Sequence, residues 1–275
     1  MSSTTASSLP RLEHRGRVTQ ARVARSEWTK FVSLRSTLWS LGVGTLLTIA
    51  LPILFSAVTA SRWAHMSLDE RSGRNPLDIA LAGVNVAQLA IAVLGVLVIT
   101  GEYSTGMIRS SLIAVPKRLP MLWAKLGVYA AVSFVLMVPC VLIGFFASQA
   151  ILQRHHILQI GFGDPGVARS LIGGALYVTF VGIFALGIGA IVRNTAGGIA
   201  AFAGIFFVIP PLMNILPTSW NDAISKYLPS EAGRQMFSLH QSAHSLSPLW
   251  GGALMLGYCA AAVVVAAVLL VRRDA

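Results

Sequence analysis

Very few residues in this chain have the types and spacing that chemistry requires. His240 and His244 stand at helical i, i+4 spacing and offer a metal two ligands, but no third accompanies them; protein metal sites take three or more ligands, so no metal is expected. The phosphate-cradling loop G-x-x-x-x-G-K-S/T is absent, as are H-E-x-x-H, C-x-x-C and G-x-S-x-G. The chain therefore has no visible means of holding ATP in a phosphate loop, activating water on zinc or presenting an elbow serine. No catalytic residue and no cofactor is expected, and the chain is not read as an enzyme. What remains is mechanical. The stretch GEYSTGMIRSSLIAVPKR, Gly101–Arg118, is polar, basic and helix-capable between two apolar runs. Ser104 or Thr105 can cap a short helix through Met107, Ile108 and Ser111. Met107, Ile108 and Leu112 then form a small apolar face, Glu102 and Arg109 supply charge, and Val115-Pro116 ends the helix. Such a turn suits a lever pressed into a cleft of a soluble subunit; the alternative is a loop anchored in lipid.

The elements that must position this lever are membrane spans. The chain has 275 residues, 55% hydrophobic and 11% charged, against about 25% charged in an ordinary globular domain. Its uncharged windows are Ser36–Ser61, Ile79–Gly101, Leu126–Gln153, Ser170–Val192, Asn194–Asn221 and Gln235–Val271. Each is longer than the roughly 20 residues a bilayer-spanning helix needs. One such run could be a buried soluble helix; six in series read as an all-α integral membrane protein. The expected spans are about 38–60, 79–100, 126–150, 170–192, 195–216 and 249–271, in a single six-span transmembrane domain over 18–275 behind a disordered tail, 1–17. The first run follows a long basic segment and exceeds the apolar core of a signal peptide, about 7–15 residues, so it is not read as one. Cys140 and Cys259 fall inside spans and read as packing residues.

Charge sets the expected orientation. With the N-terminus cytoplasmic, the inner segments collect Arg11 to Arg35, then Arg109, Lys117, Arg118 and Lys125, then Arg193, Arg272 and Arg273, and the outer loops hold most of the acids. Lys and Arg near span ends mark the cytoplasmic side, so both termini are placed there. The net charge of +11 is then explained by topology and by anionic inner-leaflet lipid; no nucleic-acid motif is present, and no nucleic-acid partner is expected.

Within this frame several segments carry expectations. Over 18–35, Ala21, Ala24, Trp28, Phe31 and Val32 recur at helical spacing, predicting an amphipathic helix lying in the inner headgroup layer. Asn85 and Gln88 share a face of the second span, where amides join helices or line a cavity. Pro139 is expected to kink the third span, and Pro210-Pro211 to break the fifth. Ala185 with Gly189, and Ala196, Ala200 and Gly204, are small-residue pairs and stripes for close helix packing. The outer segment Thr218–Pro248 is long for a structureless loop and is expected to hold short helices at the membrane surface. No Asp, Glu, Lys or Arg lies in a span interior; carriers coupled to protons usually keep one as a relay. That argues against a secondary transporter, which stays as an alternative beside a non-transporting scaffold.

The motifs SEWTKFVSLRST (26–37), GEYSTGMIRSSL (101–112) followed by PKR and Lys125, and YLPSEAGRQM (227–236) resemble those of the membrane subunits of type-2 ABC exporters, especially the actinobacterial branch. The likeness runs from about Arg22 to Arg273. It implies an N-terminal interfacial connecting helix, with Glu27, Trp28 and Lys30 making its contacts. It also implies a coupling helix between spans two and three, with Glu102, Tyr103, Gly106, Ile108 and Arg109 docking on a separate ATPase subunit that binds ATP and Mg. Two permease subunits, identical or not, would pair in a bacterial plasma membrane. Spans two and five would line the pathway, with Asn85, Gln88 and Asn214 its polar candidates, for export of an amphiphile such as a drug, peptide or lipid.

Overall fold

The computed structural model describes residues 19–104, 118–239 and 245–272. Among them all regular structure is helical, and six helices are long and apolar enough to cross a membrane. This is an all-α, multi-pass membrane protein.

Helix α1 (Gln20–Ser33) ends where Leu34 takes an extended conformation, ψ 122°, and α2 (Arg35–Arg62) begins at once as span one. A short α3 (Leu68–Ser72) follows, closed by a capping box between Ser67 and Glu70. Asn75 then caps α4 (Pro76–Ala80), with Pro76 at the first helical position, where its missing N–H costs nothing. After one turn at Leu81 the chain continues as α5 (Ala82–Ser104), completing span two. Span three is α6 (Arg118–Arg154), unbroken through Pro139. Its 37 residues at about 1.5 Å each exceed a hydrocarbon core of about 30 Å. The first turns of α6, carrying Lys125, therefore have length to spare beyond the apolar layer.

Span four, α7 (Val167–Val192), turns back over Arg193 and Asn194 into α8 (Thr195–Ala203). Arg193 takes a left-handed conformation, φ 57°, and the Asn194 side chain caps α8 by accepting from the Gly197 N–H at 2.8 Å. Span five then differs from the expectation. Pro210-Pro211 does not break it: the helix runs on as α9 (Ile209–Met213), and the adjustment lies one turn earlier, in a π-helical turn over Gly204–Val208. Each proline lacks the N–H that an α-helix donates four residues back; widening the preceding turn accommodates that loss without ending the helix. Beyond it come α10 (Thr218–Ile224), a 3₁₀ turn at Ser225–Tyr227 and α11 (Pro229–Arg234), before α12 (Pro248–Arg272) forms span six.

The crossings put α1, the end of α5, the start of α6, the α7–α8 turn and the end of α12 at one end of the bundle. The α3–α4 and α10–α11 segments lie at the other. Helices α5 and α7 form the centre, α5 packing on α2, α7 and α8, and α7 also on α6, α8 and α12. Gly95 and Gly182 meet where α5 crosses α7, with no room for a Cβ on either; Gly182 also gives space to Tyr129 of α6. The fully buried Tyr129 hydroxyl donates to the Ile91 carbonyl at 2.7 Å, tying α6 to α5. In α7, Gly189 packs closely on α5 at Val96 and Ile99. The stripe of Ala196, Ala200 and Gly204 instead stays on the outward side of span five, which buries Gly198, Phe202 and Phe206.

Candidate functional site

The structure brings together the two groups of residues that the sequence marked separately. On α1, Val23, Glu27 and Phe31 are buried at intervals of four, so one stripe faces the protein. Trp28 and Val32, expected on the same face as Phe31, are instead exposed. The ion pairs of Glu27 hold its stripe inward, and Trp28 and Val32, each one residue after a buried position, are turned about 100° away from it. Glu27 is thereby carried inward, and it is buried against α5 and α6.

There it meets Lys30, Glu102 and Lys125. Lys125 Nζ donates to Glu27 Oε2 at 2.6 Å and to Glu102 Oε1 at 3.0 Å. Lys30 Nζ donates to Glu27 Oε1 at 2.8 Å and to the same Glu102 Oε1 at 3.0 Å. Two carboxylates and two ammoniums thus alternate in a ring that joins α1, the last turns of α5 and the first turns of α6. Lys125 is 4% exposed, a position a lysine holds only when its charge is met. Burial by itself pushes the Glu27 carboxyl up; the Lys125 charge and the hydrogen bonds from Lys125 and Lys30 outweigh it and hold Glu27 below its ordinary value. Burial likewise pulls the Lys30 ammonium down, and its bonds and charge contacts with Glu27 and Glu102 outweigh that and hold it above its ordinary value. Glu102 Oε2 is buried without a hydrogen-bond partner among the described residues. A cavity of about 70 Å³ beside the ring, lined by Thr37, Leu97, Gly101 and Val128 among others, lies against it.

The other side of the α5 terminus is fastened too. Thr195 Oγ1 donates to Thr100 Oγ1 at 2.8 Å. The Arg193 guanidinium lies over the Tyr103 ring, 5.2 Å from its centroid, and donates to the Leu269 carbonyl of α12 at 3.2 Å. The end of α5, from which the chain enters 105–117, is therefore tied to α1, α6, the α7–α8 turn and α12. Of the expected coupling residues, Glu102 and Tyr103 are in this joint; Gly106, Ile108 and Arg109 lie outside the described residues, as do His240 and His244.

At the opposite end, the polar candidates of spans two and five come together at a second cavity of about 530 Å³, lined by Gln88, Tyr177, Asn214 and residues of α10 and α11. Gln88 is buried; its Nε2 donates to the Asn85 carbonyl at 2.7 Å, and its Oε1 accepts from the Tyr177 hydroxyl at 2.5 Å. Asn85 therefore contributes its backbone, and its side chain is not part of the cavity wall. Asn214 Oδ1 accepts from Asn221 Nδ2 at 3.4 Å at the rim. Sequence reasoning missed Lys125 as the centre of the ring and Tyr177 as the partner of Gln88. A lysine directly at the start of an uncharged window was a signal for the first; nothing in the local sequence marked the second.

No protein-family model matches this chain, and a search of curated proteins returns no match.

Proposed function

We propose that this chain is the membrane-spanning permease subunit of an ATP-driven transporter, powered by a separate nucleotide-binding subunit that holds ATP and Mg. The observation that carries the reading is the ring of Glu27, Lys30, Glu102 and Lys125, closed around the end of the helix that leads into 105–117. A load applied to 105–117 reaches α1, α6, the α7–α8 turn and α12 through short, buried contacts rather than through a loose linker. That is what a drive from a soluble subunit requires, because interfaces that are packed switch between discrete arrangements rather than deforming smoothly. The motif likeness adds a docking role for Gly106, Ile108 and Arg109, export as the direction, an amphiphile as cargo and a bacterial plasma membrane as the location. In this reading both termini are cytoplasmic, and the exposed Trp28 and Val32 of α1 lie in the inner headgroup layer. A second permease subunit packs on the outward side of span five.

The test is purification of the tagged chain from its host membranes in mild detergent, followed by photolabelling with 8-azido-ATP. A labelled second protein should accompany the chain. Arg109→Glu should remove that protein and its vanadate-sensitive ATP hydrolysis while leaving the membrane level of the chain unchanged. Absence of any labelled partner, together with transport that an ionophore abolishes and ATP depletion does not, would return the chain to the secondary carriers.

A further inference from the structure

The larger cavity, between spans two, four and five and the α10–α11 segment, has features of a built binding site. Its volume of about 530 Å³ lies in the range of about 300–1,000 Å³ common to small-molecule sites. One wall is apolar, made by Phe206, Phe207, Pro210 and Pro211 around the π-helical turn of span five. The facing wall is polar and made by two short helical segments, each contributing one acid and one base: Asp222 with Lys226, and Glu231 with Arg234. The second pair is satisfied internally, Arg234 Nη1 lying 3.6 Å from Glu231 Oε1. The first is not. Asp222 and Lys226 have no ion-pair partner among the described residues, although they stand four residues apart. Lys226 instead lies 5.3 Å from the centroid of the Tyr227 ring. Ser230 also lines the cavity; it is 5% exposed, and its Oγ has no hydrogen-bond partner among the described residues. Ser56, Ser133 and Ser170 also have buried hydroxyls without a partner among the described residues, but Ser230 alone of the four lines the cavity, where a bound group can reach its Oγ.

From this lining we infer that the cavity binds a zwitterionic headgroup of an amphiphile. An anion would meet Lys226 but face Asp222, and a cation the reverse; the charges of the lining sum to zero and reward a ligand that carries both signs. Lys226 takes the anionic part, Asp222 the cationic part and Ser230 Oγ a polar oxygen between them, while the hydrocarbon runs along Phe206, Phe207 and the two prolines. This gives the cargo class that the proposed transport function leaves open, and it rests on that function only for the word cargo.

The probe is glycerophosphocholine, which is zwitterionic and does not partition into bilayers, against its halves glycerol 3-phosphate and choline and against neutral inositol. Binding is titrated by saturation-transfer NMR on the full chain in nanodiscs made without choline lipids. Glycerophosphocholine should saturate, with each half and inositol weaker by about tenfold or more, since each lacks a charge-assisted contact. Asp222→Asn and Lys226→Gln should each weaken the zwitterion by about tenfold, and Ser230→Ala by less. Asp69→Asn, on α3 and outside the cavity lining, should change nothing. Equal binding of either half, equal binding of inositol, or no saturable binding by any probe overturns the inference. The measurement needs no ATPase: if ATP-dependent transport holds and the zwitterion does not bind, only this inference falls. If the zwitterion binds and no ATPase partner exists, the site stands and the energy source falls.

Discussion

At one end of the bundle Glu27, Lys30, Glu102 and Lys125 are turned toward one another, all but Lys30 buried, whereas at the other Asp222 and Lys226 face an open cavity without pairing among the described residues. The ring and the cavity lining each hold two acids and two bases, so their composition does not separate them. Burial does. In the ring, Glu27, Glu102 and Lys125 have lost water and depend on their neighbours, and the partly exposed Lys30 bonds to both carboxylates, so the four side chains behave as one structural unit. At the cavity, water still reaches the charges, and leaving them unpaired costs little. Charge at the first end fixes geometry; charge at the second is left available to a ligand.

The largest consequence follows from removing the centre of the ring. Lys125→Met removes the buried ammonium and leaves the partly exposed Lys30 to meet both Glu27 and Glu102, and breaking a buried pair in this way costs about 3–5 kcal/mol. Thermal unfolding in detergent should show a large fall in Tm. The double variants Lys125→Met with Glu27→Met, and Lys125→Met with Glu102→Met, should recover much of it, because each leaves Lys30 a single carboxylate to meet. If the doubles are as unstable as the two singles combined, the ring is not a coupled unit, and the contrast between the ends collapses.

Acid titration sharpens the same contrast at a smaller amplitude. Glu27 is held below its ordinary value of 4.5, so its stabilising contribution is complete above that pH and is lost as pH falls through the lower folded value. Lys30 is held above its ordinary 10.5, so its contribution is complete below that pH and is lost only as pH rises past the folded value. Between the two limits both are present. The Tm gap between the wild type and Glu27→Gln should therefore stay constant from pH 6 to 9 and close below about 4.5. A gap that persists unchanged to pH 3 would mean that the Glu27 charge does not stabilise the fold.

How far these ends were legible in the sequence differs for the same physical reason. The spans were readable because hydropathy is a local property; the uncharged windows mark them directly. Glu27, Lys30 and Glu102 were each marked by motif, yet their union was not. Lys30 and Glu102 are 72 residues apart, and Lys125 and Glu27 are 98 apart. Nothing periodic in α1 said that Glu27 rather than Trp28 would face inward. An apolar pattern assigns tryptophan to the buried side, and here a buried ion network overrode it. Pro210-Pro211 looked like a stop because sequence shows the missing donors but not the wider turn upstream that absorbs them. Gln88 was marked by its polarity inside an apolar run, whereas Tyr177, an aromatic in such a run, was indistinguishable from core.

The smallest expected effect is the one that best separates the two ends. Asp222→Asn and Lys226→Gln alter charges that are solvent-accessible and unpaired, and surface changes of this kind fall within about 0.5 kcal/mol of neutral. Their Tm should therefore stay within about 2 °C of the wild type, while Lys125→Met, also a change of one charge, shifts it far more. A fall in Tm for Asp222→Asn comparable to that of the ring variant would show that the open end is structural as well. An unchanged Tm combined with weakened binding of the zwitterion would instead separate the two roles of charge within one chain: structural where water is excluded, and reserved for ligand where water remains.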